Sequence, residues 1–187
     1  MHKVIVAQFV SLDGVIEDPD GSGGTPFGGW AFRYGPGPVA GDKFRLGEVL
    51  DTGVKLLGRT TWELFAGIFA ARDDDFSRRL TGMQKLVASR SLQNTDRWAN
   101  STLLEGDLIK AVAERREHQD VLVTGSASIV DQLVAHDMVD EFRLMVFPIV
   151  LGKGRRLFDG ASAPVELELV SSEDAGAGAL RQIYTRK

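Results

Sequence analysis

The chain contains no cysteine. That absence excludes disulfides, thiolate nucleophiles and thiolate metal sites, and it fits a reducing cytoplasm. Histidine is scarce: His2, His118 and His136 stand far apart, without metal-ligand spacing, so no zinc site is expected. There is no apolar run of membrane-spanning length. The start, Met1-His2-Lys3-Val4-Ile5-Val6-Ala7, lacks the long apolar stretch and cleavage site of a signal peptide. An excess of positive charge is also missing. The net charge is −4, which gives no electrostatic case for nucleic acid or an anionic membrane as partner.

What is present is the material of one globular domain spanning residues 1–187, with 43% hydrophobic residues. Val4 to Val10 reads as a buried strand, broken by Ser11-Leu12-Asp13-Gly14. Residues 17–41 are dense in glycine and proline, yet carry Phe27, Trp30, Phe32 and Tyr34. Disordered segments are poor in aromatics, so this stretch is expected to be an ordered loop over a pocket. Helical spacing is read over 42–51, 60–69, 107–117 and from about 127 to 135. A further helix through Leu80 is capped by Asp73-Asp74-Asp75. Strands are read at 54–57, 85–88, 102–104 and 120–124. Then come 140–149, 165–171 and 179–185, with no helix between them.

Strands alternating with helices imply a mostly parallel sheet with helices on both faces. The helix-free tail adds antiparallel strands at one edge.

Three strand ends share one chemistry: Gly58-Arg59-Thr60-Thr61, Ser89-Arg90-Ser91 and Thr124-Gly125-Ser126-Ala127-Ser128. Gly58 closes an apolar strand and opens a helix whose first turn holds an arginine and two hydroxyls. Free amides and the positive end of the helix dipole suit a phosphate there, and arginine adds a planar fork. Each motif alone could be an ordinary cap or surface turn. In an open α/β sheet, ligands bind outside the carboxyl ends of the strands. Neighbouring ends would therefore form one donor surface, suited to a dinucleotide with an extra ribose phosphate. No G-x-G-x-x-G turn accompanies them.

The order of motifs runs Ser11-Leu12-Asp13-Gly14-Val15-Ile16, Gly58-Arg59-Thr60-Thr61-Trp62-Glu63, Val87-Ala88-Ser89-Arg90, Thr124-Gly125-Ser126 and Asp140-Glu141-Phe142-Arg143-Leu144. It ends with Pro148-Ile149-Val150-Leu151-Gly152-Lys153-Gly154. It resembles the dihydrofolate reductase-like superfamily, and within it the C-terminal reductase domain of the riboflavin-biosynthesis deaminase/reductase (RibD). The resemblance runs from about residue 2 to 186. It implies a three-layer α/β domain that binds NADPH and passes hydride to a small heterocyclic or carbonyl substrate, working as a cytoplasmic homodimer. Carried over position by position, Gly58, Arg59, Thr60 and Thr61 would meet the phosphates, and Ser89 and Arg90 the 2′-phosphoadenosine. Thr124, Gly125, Ser126 and Ala127 would approach the pyrophosphate and nicotinamide. Thr124 stands where dihydrofolate reductases commonly have the first of two glycines.

For catalysis the resemblance offers Asp42, on the segment before Gly58, and Asp13, in the Ser-Leu-Asp-Gly loop. A carboxylate in a low-dielectric pocket could orient or protonate an imine-like nitrogen. A helix cap for Asp42 and an Asx turn for Asp13 are the alternatives. Trp30 and Phe32 could stack on a planar substrate or fill an interface. Arg155 and Arg156 could meet a substrate phosphate or only water. The pyrimidine reductase of riboflavin synthesis, a folate reductase and a non-catalytic NADP-binding module remain open as functions. The first would need a separate deaminase, because a chain without cysteine has no deaminase zinc motif.

Overall fold

The structure, a computed structural model, describes residues 2–187. Its centre is an eight-stranded sheet. The strands are β1 (Val4–Ser11), β2 (Val54–Gly58), β3 (Gln84–Ala88), β4 (Ser101–Leu103), β5 (Val121–Val123), β6 (Glu141–Phe147), β7 (Leu167–Gly176) and β8 (Ala179–Arg186). They lie in the order β4-β3-β2-β5-β1-β6-β8-β7. The first six are parallel, while β8 runs antiparallel to both β6 and β7.

The helices are α1 (Val49–Thr52), α2 (Arg59–Phe69), α3 (Asp75–Gly82), α4 (Leu108–Arg115) and α5 (Ala127–Ala135). Strands buried on both faces need apolar residues at nearly every position, which is why β1 and β2 read as continuous hydrophobic runs. Alternate residues serve opposite layers. Ile5, Ala7, Leu57 and Leu122 meet Trp62 and Ala66 of α2 and Leu80 of α3. Val4, Val6, Leu56 and Val123 meet Val112 of α4 and Ile129, Val130 and Leu133 of α5. The fold is the dihydrofolate reductase-like one, with its antiparallel edge at the C-terminal strands as expected. No helix among the described residues is long and apolar enough to cross a membrane.

One expected element differs. The helix read over 42–51 is a run of turns that closes in the four-residue α1. Arg45 has φ of 50°, and Gly41 and Gly47 are left-handed on either side of it. Such a backbone cannot continue a right-handed helix. The β7–β8 hairpin turns through three successive left-handed residues, Ala177 between Gly176 and Gly178.

Candidate functional site

The site lies at the carboxyl ends of β3, β2 and β5, which the sheet order makes neighbours. Because β5 slots between β2 and β1, the ends of β2 and β5 pack directly together. The Gly58 amide donates to the Gly125 carbonyl at 3.3 Å. A Cβ on Gly58 would stand 2.6 Å from the Ser126 Oγ, and one on Gly125 would stand 3.0 Å from the Thr61 Oγ1. Gly125 has φ of 124°, and the Gly125–Ser126 peptide is cis. Glycine is required at both positions, by close approach at one and by backbone conformation at the other.

Two helices start from this junction without a side-chain cap: α2 behind Gly58 and α5 behind Ser126. Ser126 spends its hydroxyl on Ser128, at 2.8 Å. Of the other helices, the four-residue α1 is also without a side-chain cap, while the two longer ones, α3 and α4, have one. Asp74 caps α3 and Asp107 caps α4, each carboxylate accepting a first-turn amide. The two uncapped N-termini therefore leave amide donors and positive dipole ends directed to the same edge of the sheet. Beside them the Thr124 Oγ1 is buried and has no hydrogen-bond partner.

Arg72, Arg78 and Arg79, toward the amino ends of β2 and β3, are tied to aspartates. Among the described residues, no carboxylate oxygen lies within 4.0 Å of Arg59, Arg90 or Arg97. Arg59 and Arg97 line a groove of about 360 Å³ with Trp62, Glu63, Ser91, Leu92, Gln93 and Asn94. Two unpaired guanidiniums facing one groove suit a doubly charged phosphate. Arg97 is absent from the sequence-derived set. It reaches the groove because residues 89–100 fold back over α2, where its Nη2 stands 3.3 Å from a Cβ placed on Gly67.

The other expected cofactor contacts fall around the same junction. Arg59 and Thr60 are exposed on the first turn of α2, and Thr61 packs against Gly125. Ala127 opens α5 and packs its methyl into the core beneath. Ser89 uses its Oγ to accept the Ser91 and Leu92 amides, at 3.2 and 3.0 Å, and so shapes the turn that carries Arg90. The hydroxyl keeps its proton to donate.

Three expectations are corrected. Asp13 does not present a proton donor. Its carboxylate accepts the Ser11 hydroxyl at 2.6 Å and the Leu151 and Gly152 amides at 3.1 and 2.8 Å. The Ser11 bond, with those amides behind it, holds the carboxyl down at about 2, so it is ionised at neutral pH. Asp13 ties the β1 loop to the segment after β6. Asp42 is likewise occupied: its two oxygens accept the Leu46 and Gly47 amides at 2.7 and 3.0 Å, fixing the turns that replace the expected helix. Trp30 is completely buried, edge-on to Phe147, with its Nε1 donating to the Glu17 carbonyl. It anchors the glycine-rich loop and offers no face to a ligand. Phe32 is 52% exposed and edge-on to Phe9, so it remains available.

Arg155 pairs with Asp131, and the Arg156 Nε donates to the Asp13 carbonyl at 3.1 Å, so both arginines are engaged within the protein. No group of three or more histidine or acidic side chains that could hold a metal occurs among the described residues.

Lys55 of β2 and Lys85 of β3 are register partners in the sheet, and Lys43, in the turns before α1, packs over Phe9 of β1. Burial brings Lys43 and Lys85 down to about 8. Burial, with the charges of Lys43 and Lys85 adding to it, brings Lys55 down to about 7. The Lys85 ammonium is satisfied by the Leu80, Thr81 and Met83 carbonyls and sits 4.5 Å from the Trp98 ring centre.

Sheet order, the antiparallel edge and the paired strand-end glycines together define a dihydrofolate reductase-like α/β domain. The chain belongs to the RibD C-terminal domain family, which it matches over residues 2–180. It is 26% identical to YyaP, an uncharacterized protein of Bacillus subtilis (strain 168), over 98% of this chain and 94% of that one. Among solved structures it is similar to a protein assigned to riboflavin biosynthesis from Shewanella sp. PV-4. There the TM-score is 0.76 and the identity 22%, with 99% of both chains covered. It is also similar to the diaminohydroxyphosphoribosylaminopyrimidine deaminase/5-amino-6-(5-phosphoribosylamino)uracil reductase of Thermotoga maritima. In that case the TM-score is 0.63 and the identity 16%, with all of this chain matched to 57% of that one.

Proposed function

We propose that this chain is an NADPH-dependent reductase acting on a small heterocyclic or carbonyl substrate. The observation that carries the reading is the pair of uncapped helices, α2 and α5, starting from neighbouring strand ends beside unpaired Arg59 and Arg97. A dinucleotide fits these donors. The amides opening α5 and the Thr124 hydroxyl face its pyrophosphate, and Arg59 with Arg97 holds the additional phosphate that separates NADPH from NADH. Arg90 stands at the adenosine end.

Bound there, the nucleotide supplies the hydride. The protein's share is to fix the reacting groups and exclude water. Gly58 and Gly125 let the backbone approach closely, and Trp30 pins the loop of residues 17–41 against the sheet. Phe32, exposed above Phe9, is placed to border the acceptor. We place the protein in the cytoplasm. We also read it as a homodimer, for which Leu169 and Val170, exposed on the edge strand β7, offer apolar surface.

A second reading is the pyrimidine reductase of riboflavin synthesis, favoured by the family and by the activity named for the Thermotoga protein. It requires a deaminase on another chain. Titrating the purified protein with NADPH and NADH, followed by fluorescence and thermal shift, tests the cofactor. Turnover of the phosphoribosylated pyrimidine against dihydrofolate and simple aldehydes or quinones then separates the substrates.

A further inference from the structure

The groove beside α2 holds a charge that a phosphate does not use. Its lining includes Arg59, Arg97 and also Glu63. Arg59, Glu63 and Gly67 follow at intervals of four along α2, so they share one face of the helix. Arg97 stands over Gly67, its Nη2 3.3 Å from the place of a Cβ there. Glu63 therefore lies between the two arginines. It is one turn from Arg59 and one from the glycine beneath Arg97, about 6 Å of helix each way.

The carboxylate is not consumed by its neighbours. Among the described residues Glu63 has no basic nitrogen within 4.0 Å and accepts no hydrogen bond. Arginine one turn before glutamate is the weaker order for a helical ion pair, which is why Arg59 does not claim it. Other polar groups of the lining are engaged within the protein. The Trp62 Nε1 donates to the Ser101 Oγ at 2.9 Å, and the Gln93 Nε2 to the Ser91 carbonyl at 3.3 Å. The Asn94 Oδ1 accepts the Asp96 amide at 3.3 Å. Two positive charges and one negative charge are left facing a space of about 360 Å³.

A bare phosphate answers only part of this arrangement. It satisfies the guanidiniums but brings like charge toward Glu63. A phosphate carried on a nucleoside also brings sugar hydroxyls and, on adenine, an amino group. These are donors, and an ionised carboxylate only accepts. The nucleoside phosphate therefore answers all three charges. Selectivity gains from a penalty on the wrong ligand as well as from contact with the right one.

We propose that Glu63 makes this groove selective for a nucleoside phosphate over a bare phosphate. Its carboxylate accepts a hydroxyl or amino donor of the nucleoside while Arg59 and Arg97 hold the phosphate. As part of cofactor recognition this rests on the reductase reading; as a property of the groove it is measured without hydride transfer.

The test is calorimetric titration of the whole chain with adenosine 2′-phosphate, and with inorganic phosphate by displacement, at one ionic strength. The wild type prefers adenosine 2′-phosphate. Glu63→Gln keeps the shape of the side chain and removes its charge. Inorganic phosphate then binds about tenfold more tightly, as for the loss of one nearby like charge, while adenosine 2′-phosphate does not gain. Arg97→Ala weakens both ligands, which places them in the groove. Equal gains for both ligands in Glu63→Gln overturn the proposal, because the carboxylate is then only a repelling charge. Unchanged affinities overturn it too, as does undiminished binding in Arg97→Ala. A Glu63→Gln protein that melts several degrees lower, or does not fold, also contradicts it, because the carboxylate is then structural. A wild type that binds neither adenosine 2′-phosphate nor NADPH overturns this proposal and the cofactor reading together. A wild type that binds NADPH, with its preference unmoved in Glu63→Gln, overturns this proposal alone.

Discussion

The Gly58 amide donates to the Gly125 carbonyl at 3.3 Å, and each glycine lies against the side chain that opens the other's helix. Beyond the β2–β5 ladder, this contact joins the strand ends from which the two uncapped helices start. Gly125→Ala places a Cβ 3.0 Å from the Thr61 Oγ1 at a φ of 124°. The expected cost is about 1 to 3 kcal/mol, from backbone strain alone. Chemical denaturation measures it. An Ala variant as stable as the wild type would show that the junction is not tight.

Arg59→Ala and Arg97→Ala remove guanidiniums that have no carboxylate partner to lose. Each variant is expected to keep its stability within about 0.5 kcal/mol. Each weakens NADPH about tenfold or more, as for a charge-assisted bond worth about 1.5 kcal/mol. NADH, without the extra phosphate, is affected less. Fluorescence titration of both nucleotides on both variants distinguishes this from a general loss of fold.

Asp13→Asn is expected to destabilise the protein rather than to remove an acid. The Asp13 carboxyl is lowered from 3.8 to about 2. A depressed carboxylate contributes stability that is fully present above its unfolded pKa and is lost as pH falls through its folded one. The wild type thus exceeds the variant by about 1 kcal/mol at neutral pH, reduced by solvent screening. The difference fades between about pH 4 and 2. Denaturation midpoints across that range show it, and a difference independent of pH contradicts it.

Lys55 behaves in the opposite sense. Its pKa falls from 10.5 to about 7 in the folded chain. Between those values the unfolded chain holds a proton that the native protein has released, so native stability rises with pH. Below about pH 7 the ammonium is charged in both states and its burial cost is full. Lys55→Met therefore gains most over the wild type near pH 6, and the gain shrinks by about 3 kcal/mol toward pH 9. Melting curves at the two pH values check the sign.

The sheet was legible because its strands are short apolar runs closed by glycine and serine, and β1 through β5 fall where periodicity placed them. Asp42 shows the limit. Its apolar neighbours Phe44, Val49 and Leu50 have helical spacing, but the left-handed conformations of Gly41, Arg45 and Gly47 broke the segment into turns. The strand-end motifs were visible through their composition. Arg97 was not, since only the fold-back of residues 89–100 brings it to α2. Trp30 and Asp13 misled in the same way: an aromatic in a loop and an aspartate near a pocket say nothing of what they touch. Lys55 left a plain signal, a charge inside the apolar run 54–57, which has meaning only once β2 is known to be buried on both faces.

The central claim is a phosphate-bearing nicotinamide nucleotide held by the uncapped ends of α2 and α5. The most direct measurement is the affinity of the purified chain for NADPH and NADH under identical salt. The account predicts saturable NADPH binding that raises the melting temperature, with NADH at least tenfold weaker and the difference lost when Arg59 and Arg97 are both replaced by alanine. Absence of stabilisation at high micromolar NADPH, or equal affinity for the two nucleotides, would contradict it.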